Sequence, residues 1–91
     1  MTYRVKLTKK ASEYLNSLGP KYKERINKNL KNLIAYYEGK EVPVPDVRKL
    51  HGDYQGLLRL RIGDIRIIFK LEHNNFIIIV IDIAARGDVY K

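Results

Sequence analysis

Four arginines in the second half of the chain carry the chemistry this sequence offers. Arg59 and Arg61 stand two apart in LRLRI, Arg66 follows Gly63-Asp64, and Arg86 shares the ending ARGDVYK with Tyr90. A guanidinium is a planar fork matched to phosphate oxygens, and it tolerates partial burial. The two-residue spacing puts Arg59 and Arg61 on one face of a strand. A tight turn at Gly63-Asp64 would pair Ile62 with Ile65 and Arg61 with Arg66, so all three arginines can converge on one open sheet face. The alternative is a row of ordinary outward-facing strand residues, with Arg61 paired to an acid; Asp53, Asp64 and Glu72 lie nearest in sequence. Like charges opposite each other cost stability, so an unpaired cluster asks for an anionic ligand.

Around this core lie secondary candidates. A phenol beside guanidiniums has its anionic form favoured, which makes Tyr90 a possible proton carrier; otherwise Val89 and Tyr90 simply tuck against the sheet. His51 is the one imidazole in residues 40–55. It is a spare acid–base candidate, or else a surface or hydrogen-bonded side chain. Arg48 and Lys49 precede it as candidate RNA or phosphate contacts. His73, in the turn HNN, reads as solvent-exposed. The tripeptide RGD at 86–88 carries little information, and no P-loop, glycine-rich dinucleotide turn or carboxylate dyad is visible.

The elements that must position these side chains are legible from periodicity. Residues 2–7 alternate, with Tyr3, Val5 and Leu7 on one face, as a half-buried strand does. Thr8 can cap a helix to about Leu18, striped by Ala11, Tyr14, Leu15 and Leu18. Gly19-Pro20 divides it from a second helix to about Glu38, burying Tyr22, Ile26, Leu30, Leu33, Ile34 and Tyr37, with Gly39 as its stop. These helices should form an antiparallel hairpin. Residues 40–55 read as a connection with little regular structure, anchored by Val42, Val44, Val47 and Leu50; so long a connection is often functional. Then the period becomes two. Leu58, Leu60 and Ile62 form one strand, Ile65, Ile67, Phe69 and Leu71 a second, and the apolar stretch 76–83 an interior third. Residues 84–91 form a short tail. The expected fold class is α+β: an N-terminal strand, a helical hairpin, then a three-stranded antiparallel meander, βααβββ.

Composition narrows the function. Ninety-one residues suit one domain spanning 1–91. The absence of cysteine excludes disulfide frameworks, cysteine nucleophiles and thiolate zinc sites, and with His51 and His73 alone as imidazoles a histidine-rich metal site is not expected. No cofactor is expected. The longest apolar run, 76–81, falls far short of the roughly 20 residues a membrane helix needs, and MTYRVKLTKK lacks the apolar stretch of a secretory signal. A cytoplasmic protein with no membrane partner is expected. The net charge of +8 points to a polyanion. Eight of the eleven lysines lie in residues 1–40, whereas four of the seven arginines lie in 59–86. Lysines suit solvated faces; the arginines mark where to look for chemistry.

The element order, KLHG at 49–52, LRLRIGDIRIIF at 58–69 and RGDVYK at 86–91 together resemble the RelE/ParE superfamily of toxins, and the match covers nearly the whole chain. The resemblance implies the toxin of a type II toxin–antitoxin system, of the RelE branch: a metal-independent endoribonuclease that cuts mRNA in the ribosomal A site and inhibits translation. It implies an acidic cognate antitoxin as partner, the ribosome and mRNA as targets, and contact with operator DNA only through the antitoxin complex. Carried over by position, Arg59 matches a catalytic basic position, Arg61 a further basic one, and Arg66 the arginine that stabilises the reacting phosphate. Arg86 and Tyr90 match the basic residue and the tyrosine of the tail motif. Leu57 and Ala84 depart from the pattern, standing where the best-known member has a lysine and an arginine. The ParE branch, which shares the fold and inhibits DNA gyrase instead, stays open, as does an inactive nucleic-acid-binding relative.

Overall fold

The computed structural model describes residues 2–85. Five strands and two helices follow in the order β1 (Arg4–Leu7), α1 (Lys9–Ser17), α2 (Pro20–Tyr37), β2 (Val47–Lys49), β3 (Leu58–Ile62), β4 (Ile65–Glu72) and β5 (Ile77–Ala85), with a 3₁₀ turn at Gly52–Tyr54. The α+β class and the antiparallel β3–β4–β5 meander are as expected. The sheet order is β1-β5-β4-β3-β2, with β1 parallel to β5 and the other pairs antiparallel.

Capping chemistry sets the helix limits. Thr8 sits in extended geometry before α1, and its Oγ1 accepts from the Ala11 N–H at 3.2 Å while donating to the Ile81 carbonyl at 2.8 Å. One hydroxyl thus satisfies a helix N-terminus and ties it to β5. Pro20 occupies the first turn of α2, where its missing N–H costs nothing. Gly39, at φ 84°, follows the last turn in a left-handed conformation that a side chain would resist.

One apolar cluster joins helices and sheet: Ala11, Ile26, Leu30 and Leu33 pack on Leu60, Ile62, Ile65, Ile67, Phe69, Ile78, Val80 and Ile83. Tyr3, Tyr37, Phe69 and Phe76 close one end of it, Tyr3–Phe76 and Tyr37–Phe69 edge-on and Tyr3–Tyr37 tilted, with ring centroids 5.3–6.5 Å apart. Burial pushes the Tyr37 phenol up from its ordinary pKa, with Tyr36 and Tyr3 adding to the rise.

The structure corrects four expectations. Part of the 40–55 connection is regular: Val47–Lys49 pairs with β3, making the sheet one strand wider. Tyr22, expected in the buried stripe of α2, is 44% exposed, because the core begins one turn later at Ile26. Val44 anchors nothing and is 76% exposed; Val47 packs on the main cluster, and Leu50 packs with Leu57 against Ile68 and Ala84 on the other side of the sheet. Lastly, β5 runs to Ala85, two residues into the stretch expected to be tail, and it contains a bulge. Ile68 pairs with Asp82 but Phe69 with Val80, leaving Ile81 over. The extra residue lets Ile78, Val80 and Ile83 share the core face although their spacing breaks a period of two.

Candidate functional site

The β3–β4 hairpin sets the arginines. Its turn places Arg61 directly opposite Arg66 and Ile62 opposite Ile65, while Leu60, Ile62, Ile65 and Ile67 are buried under the helices. With those neighbours fixed inward, Arg61 and Arg66 must point to the other side. Both side chains bend to the hairpin tip, where the Gly63 carbonyl accepts from Arg61 Nε at 3.4 Å and from Arg66 Nη1 at 3.2 Å. Neither has a carboxylate partner among the described residues. Such a cross-strand pair of like charges costs about 0.2–1 kcal/mol, and one carbonyl dipole offsets little of it. The remaining N–H groups of both forks are free for an anion.

Arg59 behaves differently. It lies opposite Arg48 on β2 and Ile68 on β4, with only 11% of its side chain exposed. Its Nη2 donates to Asp46 Oδ1 at 3.0 Å, and its Nε is buried without a partner. The three arginines therefore do not form one unpaired set: Arg61 and Arg66 meet at the tip, while Arg59 is held by an acid. Asp46 precedes β2, and the pairing of β2 with β3 brings it over; its own carbonyl accepts from the Arg61 N–H at 3.0 Å. The nearby acids considered in sequence, Asp53, Asp64 and Glu72, make no ion pair with these arginines. The face is also partly closed, since Leu50 and Leu57 cover Ile68 and Ala84.

Arg48, Lys49 and His51 are all exposed on or beside β2. Alternation separates them: Arg48 shares a face with Arg59, whereas Lys49 opposes Leu58. Lys49 and His51 line a cavity of about 420 Å³ with Gln55, Leu57, Leu71 and His73. It lies at the end of β3 opposite the arginine tip. His73 is exposed as expected, but it has a role: its Nδ1 is 3.2 Å from the hydroxyl of buried Tyr3, and its ring lines that cavity.

Arg86 and Tyr90 lie outside the described residues. Among the described residues no cluster of acids and histidines forms a metal site, and no helix is long and apolar enough to cross a membrane.

Sequence reasoning missed Arg25. Its guanidinium reaches from α2 to the Gly63 turn, and a methyl group added at Gly63 would run into it. Arg25 is the one arginine among the lysines of α2. That substitution of a fork for a point charge was the available signal.

A family model described as the ParE toxin of type II toxin–antitoxin system, parDE, matches residues 5–90. A search of curated proteins finds no match. Among solved structures, a chain of the archaeal RelE–RelB complex from Pyrococcus horikoshii is 33% identical, covers 98% of this chain and 100% of that one, and superposes with a TM-score of 0.72. A chain of the RelB–RelE antitoxin–toxin complex from Methanococcus jannaschii is 19% identical over 93% and 94% of the two chains, with a TM-score of 0.68. A chain of the E. coli DinJ–YafQ toxin–antitoxin complex is 12% identical over 100% of both, with a TM-score of 0.73. The last two show likeness of fold alone. Matched along nearly its whole length by the family model, the chain belongs to the ParE toxin family, in the RelE/ParE superfamily, and is the toxin of a type II toxin–antitoxin system.

Proposed function

We propose that this toxin is a ribosome-dependent, metal-independent mRNA endoribonuclease of the RelE kind, built as one domain and acting in the cytoplasm. The observation that carries the reading is the pair Arg61 and Arg66, two guanidiniums on one turn with no acid to neutralise them. Inhibiting a protein target needs no such unbalanced pair; holding a phosphate does.

Cleavage requires three jobs. The 2′-OH loses a proton as its oxygen attacks the adjacent phosphorus, the dianionic phosphorane is stabilised, and the departing 5′-oxygen gains a proton. The products are a 2′,3′-cyclic phosphate and a 5′-hydroxyl. Arg66 with Arg61 performs the second job through N–H groups not engaged by Gly63. Arginine holds its proton too tightly to be an ordinary base, so Tyr90 takes the 2′-OH proton. Arg86 orients or protonates the leaving oxygen. Arg59 contributes by setting the sheet surface, and touches phosphate only when Asp46 releases it. Arg48, Lys49 and His51 receive flanking RNA, with His51 a spare proton carrier. The one imidazole of this set, His51, lies at the end of β3 away from the arginine tip, so the tip itself lacks an efficient base and the ribosome supplies the placement of the mRNA. The antitoxin partner is acidic along the segment that covers these cations.

Induced expression of the chain should stop translation, and primer extension on a reporter mRNA should show cuts within codons. Tyr90→Phe should abolish the cuts and keep ribosome binding. A second reading is favoured by the ParE description of the matching family: a toxin that inhibits DNA gyrase. Growth arrest with intact mRNA and an SOS response would establish it and sink the ribonuclease.

A further inference from the structure

We infer that Arg25 is an RNA-binding residue of this site: α2 contributes a third guanidinium to the β3–β4 tip, and Arg25, Arg61 and Arg66 together form a seat for the phosphodiesters of single-stranded RNA. The inference rests on the ribonuclease reading for its biological meaning and on the geometry of Gly63 for its residues.

Gly63 organises the seat. Its φ of 60° is left-handed, the region glycine enters without strain. Its carbonyl gathers Arg61 and Arg66, and its bare Cα is where Arg25 lies. The place a Cβ would occupy is 3.2 Å from Arg25 Cζ and 3.5 Å from Nη1, with Nη2 nearer still. Any side chain at this position would expel Arg25 from the turn. Three cations from two different elements thus meet on one peptide unit.

None of the three has an ion-pair partner among the described residues, and the Arg25 guanidinium has no hydrogen-bond acceptor there. The one acid of the turn, Asp64, is exposed and forms no bridge. Elsewhere the protein neutralises its placed cations: Asp46 holds Arg59, and Asp82 holds Lys10. The tip is left positive from both sides of the hairpin. Its fork-shaped donors fit the two free oxygens of a phosphodiester, and a polynucleotide presents such groups in succession. Arg66, the residue proposed for the reacting phosphate, is in the same cluster, so Arg25 would grip a neighbouring phosphate of the same strand.

The test is binding of the full chain to a fluorescein-labelled single-stranded RNA whose 2′-hydroxyls are methylated, followed by anisotropy across a salt series. No cleavage is needed. Arg25→Ala should weaken binding three- to tenfold at low salt and reduce the slope of log K against log salt by about 0.7, the share of one phosphate contact on a single strand. Arg25→Lys should keep the slope and recover part of the affinity. Lys28→Ala, on the same helix, should change the slope less. An unchanged slope in Arg25→Ala, or an equal loss in Lys28→Ala, would overturn the seat, the latter reducing it to diffuse charge. So would an RNA isotherm untouched by Arg25→Ala beside weakened binding of a polyglutamate peptide, which would give the cluster to an acidic protein. The two readings fail separately. A wild type that leaves mRNA intact while Arg25→Ala loses RNA binding defeats the ribonuclease and keeps the seat.

Discussion

The two sides of the hairpin β3–β4 are made by the same residues in alternation and obey opposite rules. On the helix side, Leu60, Ile62, Ile65, Ile67 and Phe69 are at most 5% exposed and belong to one apolar cluster with the helices. On the other side, Arg61 faces Arg66 and Arg59 faces Arg48. The first side gains stability from every contact. The second gives some away by setting like charges opposite each other, with Asp46 as the one acid in compensation and a small apolar patch of Leu50, Leu57, Ile68 and Ala84 beside them. A family of folded toxins can keep such a surface because the helix side carries the stability, so the arginine side is free to be arranged for a ligand.

The sharpest way to break this contrast is to cut into the stabilising side. Phe69 is fully buried and meets Tyr37 at 6.5 Å between ring centroids. Phe69→Ala should cost about 3–5 kcal/mol, transfer plus cavity. At roughly 0.05–0.15 kcal/mol per residue that is a large share of the total stability of a chain of this size, and thermal unfolding by circular dichroism reads it directly as a steep fall in melting temperature. A variant retaining its melting temperature would show that the helix side does not carry the fold.

The other side should answer in the opposite currency. Arg66→Ala should lower mRNA cleavage about 10²–10³-fold, the range for removing one donor that stabilises a developing anion. Its melting temperature should hold or rise slightly, since a like-charge opposition is relieved at the loss of one 3.2 Å hydrogen bond to Gly63. Primer extension and a melt on the same preparation separate the effects. A destabilised Arg66→Ala would mean that the residue is structural.

What the sequence disclosed divides along the same line. The helix side was legible because burial imposes a period: LRLRI and IRIIF announce which residues face inward, and the turn at Gly63-Asp64 then dictates the opposition of Arg61 and Arg66. The partners of the arginines were not legible, because ion pairs obey no period. Asp46 stands 13 residues from Arg59, directly after Pro43-Val44-Pro45, where no strand pattern can be read, and only the three-residue β2 delivers it. Arg25 was hidden among the lysines of a solvated helix face, and its approach to Gly63 depends on packing between α2 and the hairpin. The β5 bulge escaped because an almost uniformly apolar run shows no parity to read. Arg86 and Tyr90 remain readings of sequence and resemblance alone.

Asp46 allows a finer test of how far the arginine side is truly uncompensated. Asp46→Asn keeps the shape and removes the charge facing Arg59, whose side chain is mostly buried. Because the carboxylate is half exposed, the loss should be modest, about 1 kcal/mol, toward the low end for stranding a partly buried donor. Chemical denaturation should show the lower midpoint. Arg59 would then be the freer fork, and RNA binding should tighten slightly. A variant with unchanged stability and unchanged RNA binding would make the pair a surface accident.

The smallest expected effect concerns a tether far from the arginines, and it sharpens the contrast by showing an acid that is used wholly for structure. Glu38, just past α2, accepts from the Tyr3 N–H at 2.8 Å and lies 3.3 Å from Lys40 Nζ. The backbone N–H, foremost, and Lys40 hold the Glu38 carboxyl below the ordinary value of 4.5, against the opposing effect of burial. A carboxylate whose pKa is lower folded than unfolded binds fewer protons in the native state, so it stabilises the fold above the unfolded value. That contribution fades as pH falls below about 4.5 and through the lower folded pKa, where both states become protonated. Glu38→Gln should therefore lower the melting temperature by a small amount at pH 7, and the difference from wild type should vanish at the acid end. The sign is what distinguishes this tether from general charge repulsion. With a net charge of +8 at pH 7, the whole molecule loses stability as its carboxylates protonate, in wild type and variant alike. Only the gap between the two curves reports Glu38. A gap that stays constant from pH 7 to pH 3 would show that the side chain acts through its shape and that its charge is idle.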